Sequence, residues 1–438
     1  MFLTKKPFAL QAITNNRTDT YTLARARTHT HHTMNQLTWS TLPWHVVVNI
    51  FSHLPMSDRT RARLVCHRWN ECFHDCSLWR HFTFDFDTEL DPHADTLLAM
   101  KLHGDHLRSV TIRLNQSQPL SRQRVCQLMD TTLVNAMRGR LNSFTMRFTG
   151  ENPLCFNDPE LVLSVKNFVR NCCGRTTGGN HHLPSSVLHT IDLNDFDVTL
   201  DNELVNAMFK NHLLLRKVGL QNRCLMDNIN ANAMRNLVKQ CQHLEEIDAF
   251  YHCVDGAVID MLAKPNRKRP FRRLSLSCNR SNKYFNHFIS SESWLNLSLA
   301  QPELEVAMNF GWSFPRHLIT EVLSVNMPLV DLELNVYAWL TEELQHVCEE
   351  FTGSLRSLTF RTNVDWGVQA PPGLEPVLVD LVTQSVSLRE LHCHCVLSDD
   401  VIERIKSARP SLTASTLYGV EIYAAEQKRA GLECVVRI

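Results

Sequence analysis

The chain has 438 residues, of which 44% are hydrophobic and 21% charged, and these globular values exclude wholesale disorder. Its 45 basic and 45 acidic residues give a formal net charge of zero, so we expect no nucleic acid bound by bulk charge. No apolar run approaches the roughly 20 residues of a membrane-spanning helix, so we expect no membrane partner. The 15 cysteines and the absence of a secretory pattern indicate reduced thiols and a cytoplasmic or nuclear location.

Residues 1–36 are predicted to form a disordered N-terminal extension. Residues 1–33 contain five Lys or Arg, one Asp and several Thr. A basic, acid-poor leader is also typical of an organelle transit peptide, but no amphipathic apolar face accompanies this one. Met34 offers an alternative start of translation, so the sequence leaves open whether residues 1–33 belong to the mature protein.

Residues 42–79 have the apolar spacing of short helices. The first stripe, at spacing i, i+3, i+4 and i+7, consists of Val47, Ile50, Phe51 and Leu54. Pro55 ends this helix, and Ser57 or Asp58 is suited to cap the next one. The stripe of that second helix consists of Ala62, Val65, Cys66 and Trp69. A third short helix is predicted near Ser77.

Three helices over about 45 residues form only a marginal core, so this module is predicted to dock onto another surface. Several apolar residues near the first helix are left over once that core is filled. They are Leu42, Pro43, Trp44 and Val46. An exposed apolar patch on a small helical module usually marks a partner surface.

In residue order and spacing, this stretch resembles an F-box. The elements that carry the resemblance are Leu42-Pro43, Ile50 with Leu54, Asp58-Arg59, Leu64-Val65-Cys66 with Trp69, and Leu78-Trp79. The chain departs from the family pattern at residues 44–46, Trp-His-Val, where an acidic residue commonly follows Leu-Pro. The alternative is a generic helical hairpin that caps the segment after it.

A short pattern, apolar-x2-apolar-x-apolar, recurs along the rest of the chain. Its copies begin at Leu107, Leu141, Leu188, Leu215, Leu244, Phe271, Leu329, Leu355, Leu388 and Leu417, with a degenerate copy at Leu304 to Met308. Starts from 188 to 271 lie 27, 29 and 27 residues apart, and those from 329 to 417 lie 26, 33 and 29 apart. With helical patterns between the strands, this spacing is typical of leucine-rich repeats.

We therefore predict an α/β protein with a three-helix F-box at residues 37–85 and a leucine-rich-repeat solenoid at residues 86–438. The solenoid is expected to have a parallel sheet on its concave side and helices on its outside. A doubly wound α/β fold is the alternative, although its units would be longer and less regular. The 47-residue step from Leu141 to Leu188 predicts an insertion loop near residues 150–187.

Alternate side chains of a strand point to opposite faces, so residues between the pattern positions are predicted to line the concave surface. As a set these residues are polar and varied, which makes the concave surface the best candidate for a partner site. The residues selected for substrate contact are Arg113, Arg147, Asp192, Asp248, Arg273, Asp331, Glu333, Arg361, His392 and His394. For any one of them alone, a solvated surface position is the simpler interpretation.

Metal binding and catalysis find little support in the sequence. Cys172-Cys173 and His181-His182 invite a zinc interpretation, but adjacent cysteines do not easily ligate one ion in tetrahedral geometry. The run His-Cys-His-Cys at 392–395 lies on a predicted strand, which turns its two histidines and two cysteines to opposite faces. No P-loop, GxSxG, HExxH or GxGxxG pattern is present. We predict no metal, no cofactor and no catalytic residue.

The densest basic run of the chain is Lys264–Arg273. It fits a nuclear localisation signal or a patch for an acidic partner, and it equally fits a solvated turn that enters a strand. The sequence alone does not separate these interpretations.

Together, the F-box resemblance and the repeats are similar to the F-box/leucine-rich-repeat family over residues 37–438. The resemblance implies a non-catalytic substrate receptor of a Skp–cullin–F-box ubiquitin ligase, which brings a target protein to ubiquitination and proteasomal degradation. Its partners would be a Skp-type adaptor, a cullin and a RING protein reached through that adaptor, and an unidentified protein substrate. The implied adaptor-binding residues are Leu42, Pro43, Val46, Val47, Ile50, Phe51, Leu54, Leu64, Trp69, Leu78 and Trp79. The alternative is a repeat scaffold that binds the adaptor without ligase function.

Overall fold

The computed structural model describes residues 39–86, 100–133, 141–149, 158–172, 188–222, 228–278, 287–336, 338–362, 370–371 and 373–419. The predicted N-terminal extension, Cys173, His181 and His182 lie outside these residues. The same holds for residues 420–438 at the end of the chain.

Short helices form the first part of the described chain. They are α1 (Trp44–His53), α2 (Met56–Ala62) and α3 (His67–Phe73), with 3-10 turns at Trp39–Thr41 and Cys76–Trp79. The prediction that the second helix extends to Trp69 was wrong, because the chain turns between Arg63 and Cys66 and resumes as α3. The predicted cap was also wrong, since the residue that precedes α2 is the extended Pro55, which places Asp58 inside the first turn.

Within the described ranges, a single parallel sheet of 12 strands follows, and its spatial order is the order of the sequence. Its strands are β1 (His81–Phe86), β2 (Ser109–Asn115), β3 (Ser143–Thr149), β4 (Thr190–Asp192), β5 (Lys217–Gly219), β6 (Glu246–Phe250), β7 (Arg273–Cys278), β8 (Glu305–Phe310), β9 (Leu329–Val336), β10 (Ser357–Thr362), β11 (Glu390–Leu397) and β12 (Ala414–Gly419). The predicted repeat strands from β2 to β11 and the degenerate copy at β8 are therefore confirmed. The last copy was wrong in register, because Leu417, predicted as its first position, pairs with Cys393, the third position of the preceding copy. The other two positions of that copy, Val420 and Ile422, lie outside the described residues. The strand β1 was not predicted as a repeat strand, yet it pairs with β2 along its full length.

Helices connect successive strands, as the predicted solenoid requires. They are α4 (Pro119–Gln127), α5 (Pro159–Asn171), α6 (Asn202–Asn211), α7 (Ala231–Gln240), α8 (Gly256–Leu262), α9 (Ser291–Ala300), α10 (Ile319–Val322), α11 (Thr341–Glu350), α12 (Leu374–Gln384) and α13 (Asp399–Ala408). A π-helical segment, Leu128–Leu133, extends α4, and further 3-10 turns lie at Gly104–His106, Tyr251–Cys253 and Arg316–Leu318. The range predicted as an insertion loop contains α5, whose apolar side packs beside α6.

A recurrent side-chain cap starts the helices of the middle repeats. The residue before each helix accepts a hydrogen bond from the backbone N–H three positions later, at donor–acceptor distances from 2.9 to 3.1 Å. The capping residues are Asp158, Asp201, Asn230, Asp255 and Ser290. Such a cap stabilises a helix by about 1 kcal/mol, so each repeat fixes where its own helix begins.

The register between strands β1 to β7 is fixed just before each of these strands begins. There, one backbone carbonyl accepts hydrogen bonds from two consecutive N–H groups of the next repeat, as Arg80 does from Arg108 and Ser109. The same arrangement recurs at Arg108, Asn142, His189, Arg216 and Glu245. Because each repeat contacts mainly its neighbours, these local bonds repeat the same alignment from β1 to β7. The register shifts later, within the pairing of β8 with β9 and of β11 with β12.

The core lies between the sheet and the helices. Strand residues alternate between buried and partly exposed, as in β9, where Leu332 and Leu334 are buried and Asp331 and Glu333 are not. The face of the sheet that carries these partly exposed positions is called the open face below; it is the face predicted as concave. Polar groups on the open face therefore remain available to a partner.

Candidate functional site

The first candidate surface is the helical module, residues 39–80. Trp44, the first residue of α1, keeps 41% of its surface exposed while its indole N–H donates to Asp75 at 2.7 Å. Burial alone would raise the pKa of Asp75, but hydrogen bonds from Ser77 and Trp44 outweigh it and lower that pKa. The ring of Trp44 is thus held in place at the surface.

Three further large apolar side chains of the module are exposed. Trp39 is 68% exposed, and Leu64 and Val65, in the turn between α2 and α3, are 76% and 63% exposed. The position of this turn follows from Trp69, which packs edge-on against Phe51 at a ring distance of 5.5 Å. With Trp69 packed there, the chain before it loops outward, and its apolar residues face solvent. Such residues are typical of a partner surface.

The predicted adaptor-binding residues divide into three groups by burial. Pro43 and Leu64 are exposed. The partly exposed ones are Leu42, Val46, Ile50, Leu54 and Trp69. The buried ones are Val47, Phe51, Leu78 and Trp79. In this structure the third group forms the core of the module. A buried side chain contacts a partner only after rearrangement. Direct contact of these four residues with the adaptor therefore stays a prediction.

Arg59 holds the module together and was missed by the sequence analysis as a structural residue. Its guanidinium donates to the backbone carbonyls of Leu54 and Leu78, both at 3.2 Å, and it lies over the ring of Trp79. Burial lowers the pKa of this guanidinium. The Asp58-Arg59 pair was the feature of the sequence that could have pointed to this residue. That Arg59 joins the carbonyls of Leu54 and Leu78 is visible only in the fold.

The second candidate surface is the open face of the sheet, where its first strands carry paired charges. Arg113 lies 3.3 Å from Asp85, and Arg147 lies 3.5 Å from Asp195. Both arginines are half-exposed and remain polar contacts for a partner. Their ion pairs reduce the basic character of this end of the open face.

Strands β4 to β9 carry all four of the predicted carboxylates. Asp192 accepts a hydrogen bond from the backbone N–H of Asn194 at 3.2 Å, while the Asn194 side-chain amide donates to Asp248 at 2.8 Å. Burial raises the pKa of Asp248, and the hydrogen bond from Asn194 acts in the opposite direction. Arg273 forms an ion pair with Asp331 at 2.8 Å, and these two residues line one groove with Glu333. The structure thus brings these three predicted residues together, while Asp192 and Asp248 are joined through Asn194 on the strands before them.

The last strands place Arg361, His392 and His394 on the open face, as predicted. The side-chain nitrogen of His392 lies 2.9 Å from the hydroxyl of Thr416, and burial followed by the charge of Arg361 lowers the pKa of His394. The intervening Cys393 and Cys395 are buried, and burial raises the pKa of both thiols. The alternation of partly exposed histidines and buried cysteines at residues 392–395 follows from the two-residue period of a strand.

Two other patterns noted in the sequence can be located. Cys172 is buried, with its sulfur 3.7 Å from a ring nitrogen of His212, while the other residues of the zinc interpretation lie outside the described residues. Within the described ranges, no group of three or more His, Cys, Asp or Glu is placed to hold a metal ion. No helix in this part of the chain is long and apolar enough to cross a membrane.

The basic run 264–273 forms the turn between α8 and β7. Arg267 donates to the carbonyl of Leu244 at 3.0 Å, and Arg269 forms an ion pair with Glu245 at 2.8 Å. Part of the run therefore supports the turn, while Lys264 and Lys268 point into solvent.

The fold and the surfaces define a class of protein, a small helical module joined to a leucine-rich-repeat sheet. Comparison with known proteins agrees with this class. Residues 39–85 match the F-box-like family. The chain is 26% identical to F-box/LRR-repeat protein 8 of Homo sapiens over 376 residues, which cover 86% of this chain and 94% of that protein.

Other relatives give the same result. The identity to F-box/LRR-repeat protein 8 of Bos taurus is 27% over 379 residues, covering 86% of this chain and 94% of that protein. F-box/LRR-repeat protein 21 of Bos taurus is 26% identical over 291 residues, which are 64% of this chain and 62% of that protein. The chain therefore carries an F-box-like domain and is homologous to F-box/LRR-repeat proteins over most of its length.

Proposed function

We propose that this chain is the substrate-recognition subunit of an SCF-type ubiquitin ligase. The observation that carries the proposal is the F-box-like module, which exposes Trp39, Trp44, Leu64 and Val65 while its buried residues pack against the start of the sheet. An F-box-like domain implies a Skp-type adaptor as its partner. The relatives are F-box/LRR-repeat proteins, which supports the same role for the repeats that follow.

In this proposal the chain contributes proximity and no bond chemistry. The module docks on the adaptor, and the open face of the sheet holds a target protein. A separate conjugating enzyme, brought by the cullin and RING protein, then transfers ubiquitin. Holding two reactants together raises the effective concentration of target lysines near that enzyme, which accelerates transfer without a catalytic residue here.

The adaptor contact is tested with the double variant Leu42→Ala and Pro43→Ala. Pro43 is exposed at the start of α1, and Leu42 is only partly buried, so we expect a loss of apolar contact with little effect on folding. Co-purification of the adaptor from cells should fall at least about tenfold, the effect of roughly 1.4 kcal/mol of lost contact.

The matched control is Leu299→Ala with Val386→Ala, two side chains that are 71% and 72% exposed on the repeats. This control should retain the adaptor at the level of the unchanged chain. Equal adaptor recovery with the Leu42 and Pro43 variant would contradict the assignment of that surface.

The alternative function is a repeat scaffold that binds the adaptor without ligase activity. The two functions differ in what co-purifies under proteasome inhibition. A ligase receptor retains the adaptor and the cullin and accumulates ubiquitinated proteins that are absent when residues 37–85 are deleted. A scaffold retains the adaptor alone or neither protein.

A further inference from the structure

A polar groove crosses the open face between β7 and β10. Its volume is about 370 Å³. It is lined by Gln221, Asn222, Arg273, Ser275, Ser277, Ala307, Asn309, Asp331, Glu333, Ser357 and Thr359, with Met308 and Leu332. Four adjacent strands span roughly 14 Å at about 4.8 Å between neighbours, which is the length of about four extended residues. The groove thus suits a short extended segment.

The small side chain of Ala307 creates the hollow in this groove. In the strand register, Ala307 pairs with Ser275 on one side and with Asp331 on the other. Larger side chains occupy the preceding and following open-face positions of β8, Glu305 and Asn309. A partner side chain can therefore enter over Ala307 and reach the carboxylate of Asp331.

The groove also contains a buried hydroxyl that lacks a hydrogen-bond partner. Ser277 is 2% exposed, and within the described residues its side-chain oxygen has no donor or acceptor in reach. A buried polar group left unpaired destabilises the folded state. A polar group of a bound segment would remove that cost.

Negative charge predominates on the open face from β4 to β9. Six carboxylates stand at its outward positions, Asp192, Glu246, Asp248, Glu305, Asp331 and Glu333. Two cations, Lys217 and Arg273, share these strands, and Arg356, which precedes β10, forms an ion pair with Glu305. Lys217 pairs with Glu246 at 3.0 Å, and Arg273 lies 2.8 Å from Asp331 and 3.6 Å from Glu305. The cations are thus already engaged.

Neutral amides hold the remaining carboxylates in place. Glu333 accepts hydrogen bonds from the side-chain amides of Asn309 and Asn335, both at 2.8 Å. Asp248 accepts one from Asn194 at 2.8 Å. An amide orients a carboxylate and leaves its charge uncancelled, whereas an arginine or lysine would neutralise it. Asp248 is buried outside the groove, whereas Glu333 lines it, so the groove presents the oriented charge of Glu333 to a partner.

We propose that this groove binds an extended, lysine- or arginine-bearing segment of the recruited protein. This proposal deepens the substrate-recognition function proposed above. It rests on that function only in taking the bound segment to belong to a recruited protein. An ammonium or guanidinium group over Ala307 would contact Asp331 and Glu333, and polar groups of the segment would satisfy Ser277. An acidic or phosphorylated segment would meet the same carboxylates and be repelled.

The test measures binding of two labelled peptides to the full-length chain by fluorescence anisotropy at physiological salt. One peptide alternates glycine with lysine and arginine, and the other alternates glycine with aspartate and glutamate. We expect the basic peptide to bind at least about tenfold more tightly. The double variant Asp331→Asn with Glu333→Gln keeps the shape of both side chains and should weaken basic-peptide binding about tenfold.

A second variant changes the affinity in the opposite direction. Arg273→Gln releases Asp331 from its ion pair, so binding of the basic peptide should strengthen about two- to fivefold, a gain that misfolding does not produce. The matched control Glu292→Gln with Glu403→Gln removes two exposed carboxylates from α9 and α13. This control should leave the affinity unchanged.

Equal affinity for both peptides, or equal loss in the groove variant and in the control, would overturn the proposal. Unchanged or weaker binding of the basic peptide by Arg273→Gln would also count against it. Adaptor co-purification is measured on the same variants. If it persists while peptide binding shows no preference, the groove assignment fails and the ligase assignment stands.

Discussion

At the scale of single residues, Asn194 organises the middle of the open face. Its amide nitrogen donates to Asp248, and its amide oxygen accepts the backbone N–H of Gln221 at 3.0 Å. Gly219 makes this possible, because a Cβ at that position would lie 2.8 Å from the side-chain oxygens of both Asn194 and Asp192. The glycine is required for space between side chains.

Replacing Gly219 by Ala should therefore destabilise the protein. The new methyl displaces Asn194, which leaves the carboxylate of Asp248 and the N–H of Gln221 without their bonds. The expected loss is about 1–3 kcal/mol in free energy of unfolding, measured by urea denaturation. Gly353→Ala is the control, since nothing lies within 4 Å of its Cβ position. Equal effects of the two changes would contradict this account.

At the scale of elements, the junction between the module and the sheet is built from stacked rings. His103 is buried beside the 3-10 turn Gly104–His106 and stacks on Trp79 at 4.3 Å. A ring nitrogen of His74 lies 3.2 Å from one of His103. Burial, followed by the charges of His74 and His106, lowers the pKa of His103 to about 4.

This shift predicts a loss of stability in acid. Above about pH 6.5 the imidazole of His103 is neutral in both states, so its contribution is fully present. Below that pH the unfolded chain takes up the proton first, so stability falls as the pH approaches 4. His103→Phe keeps the stacking and removes the titration.

The urea midpoint of the His103→Phe variant should therefore fall less steeply between pH 6.5 and 4.5 than that of the unchanged chain. The comparison at pH 7.5 serves as the internal control, because the histidine is uncharged there in both states. Parallel profiles across the whole pH range would exclude a contribution from His103.

At the scale of the whole molecule, one core runs from the helical module into the repeats. Trp79 is fully buried, its indole N–H donates to the carbonyl of Phe73 at 2.9 Å, and its ring stacks with Phe82 of β1. Because β1 is hydrogen-bonded to β2, the module is continuous with the sheet. A partner bound to the module is thereby held in a fixed relation to the open face.

Trp79→Ala should break this continuity. Truncating a buried aromatic side chain costs about 3–5 kcal/mol, and here the loss falls on the junction. We expect the unfolding of the helical module to separate from that of the sheet in urea, seen as two transitions by tryptophan fluorescence and circular dichroism. Trp312→Ala is the control, because that ring is 57% exposed. A single shifted transition for Trp79→Ala would contradict the shared core.

The sequence by itself determined the repeated strand, the helices between strands and the helical module, because periodicity and local breakers such as Pro55 act over neighbouring residues. The open-face positions followed from the two-residue period of a strand, which located Asp331 and Glu333 without any knowledge of contacts. The domain boundaries and the roles of the site residues stay predictions.

Only the tertiary structure decided where the second helix breaks, that β1 joins the sheet, and which charges on the open face are neutralised. Each depends on groups that are distant in the chain, as Asn194 and Asp248 are. Val65 is a further case in which long-range packing decided the outcome. Helical spacing predicted that it belongs to an apolar stripe, whereas in the structure Val65 and the neighbouring Leu64 are exposed. The packing of Trp69 against Phe51 bends the chain and turns Val65 outward. Local pattern sets the elements, and long-range packing sets which of their side chains are free to bind.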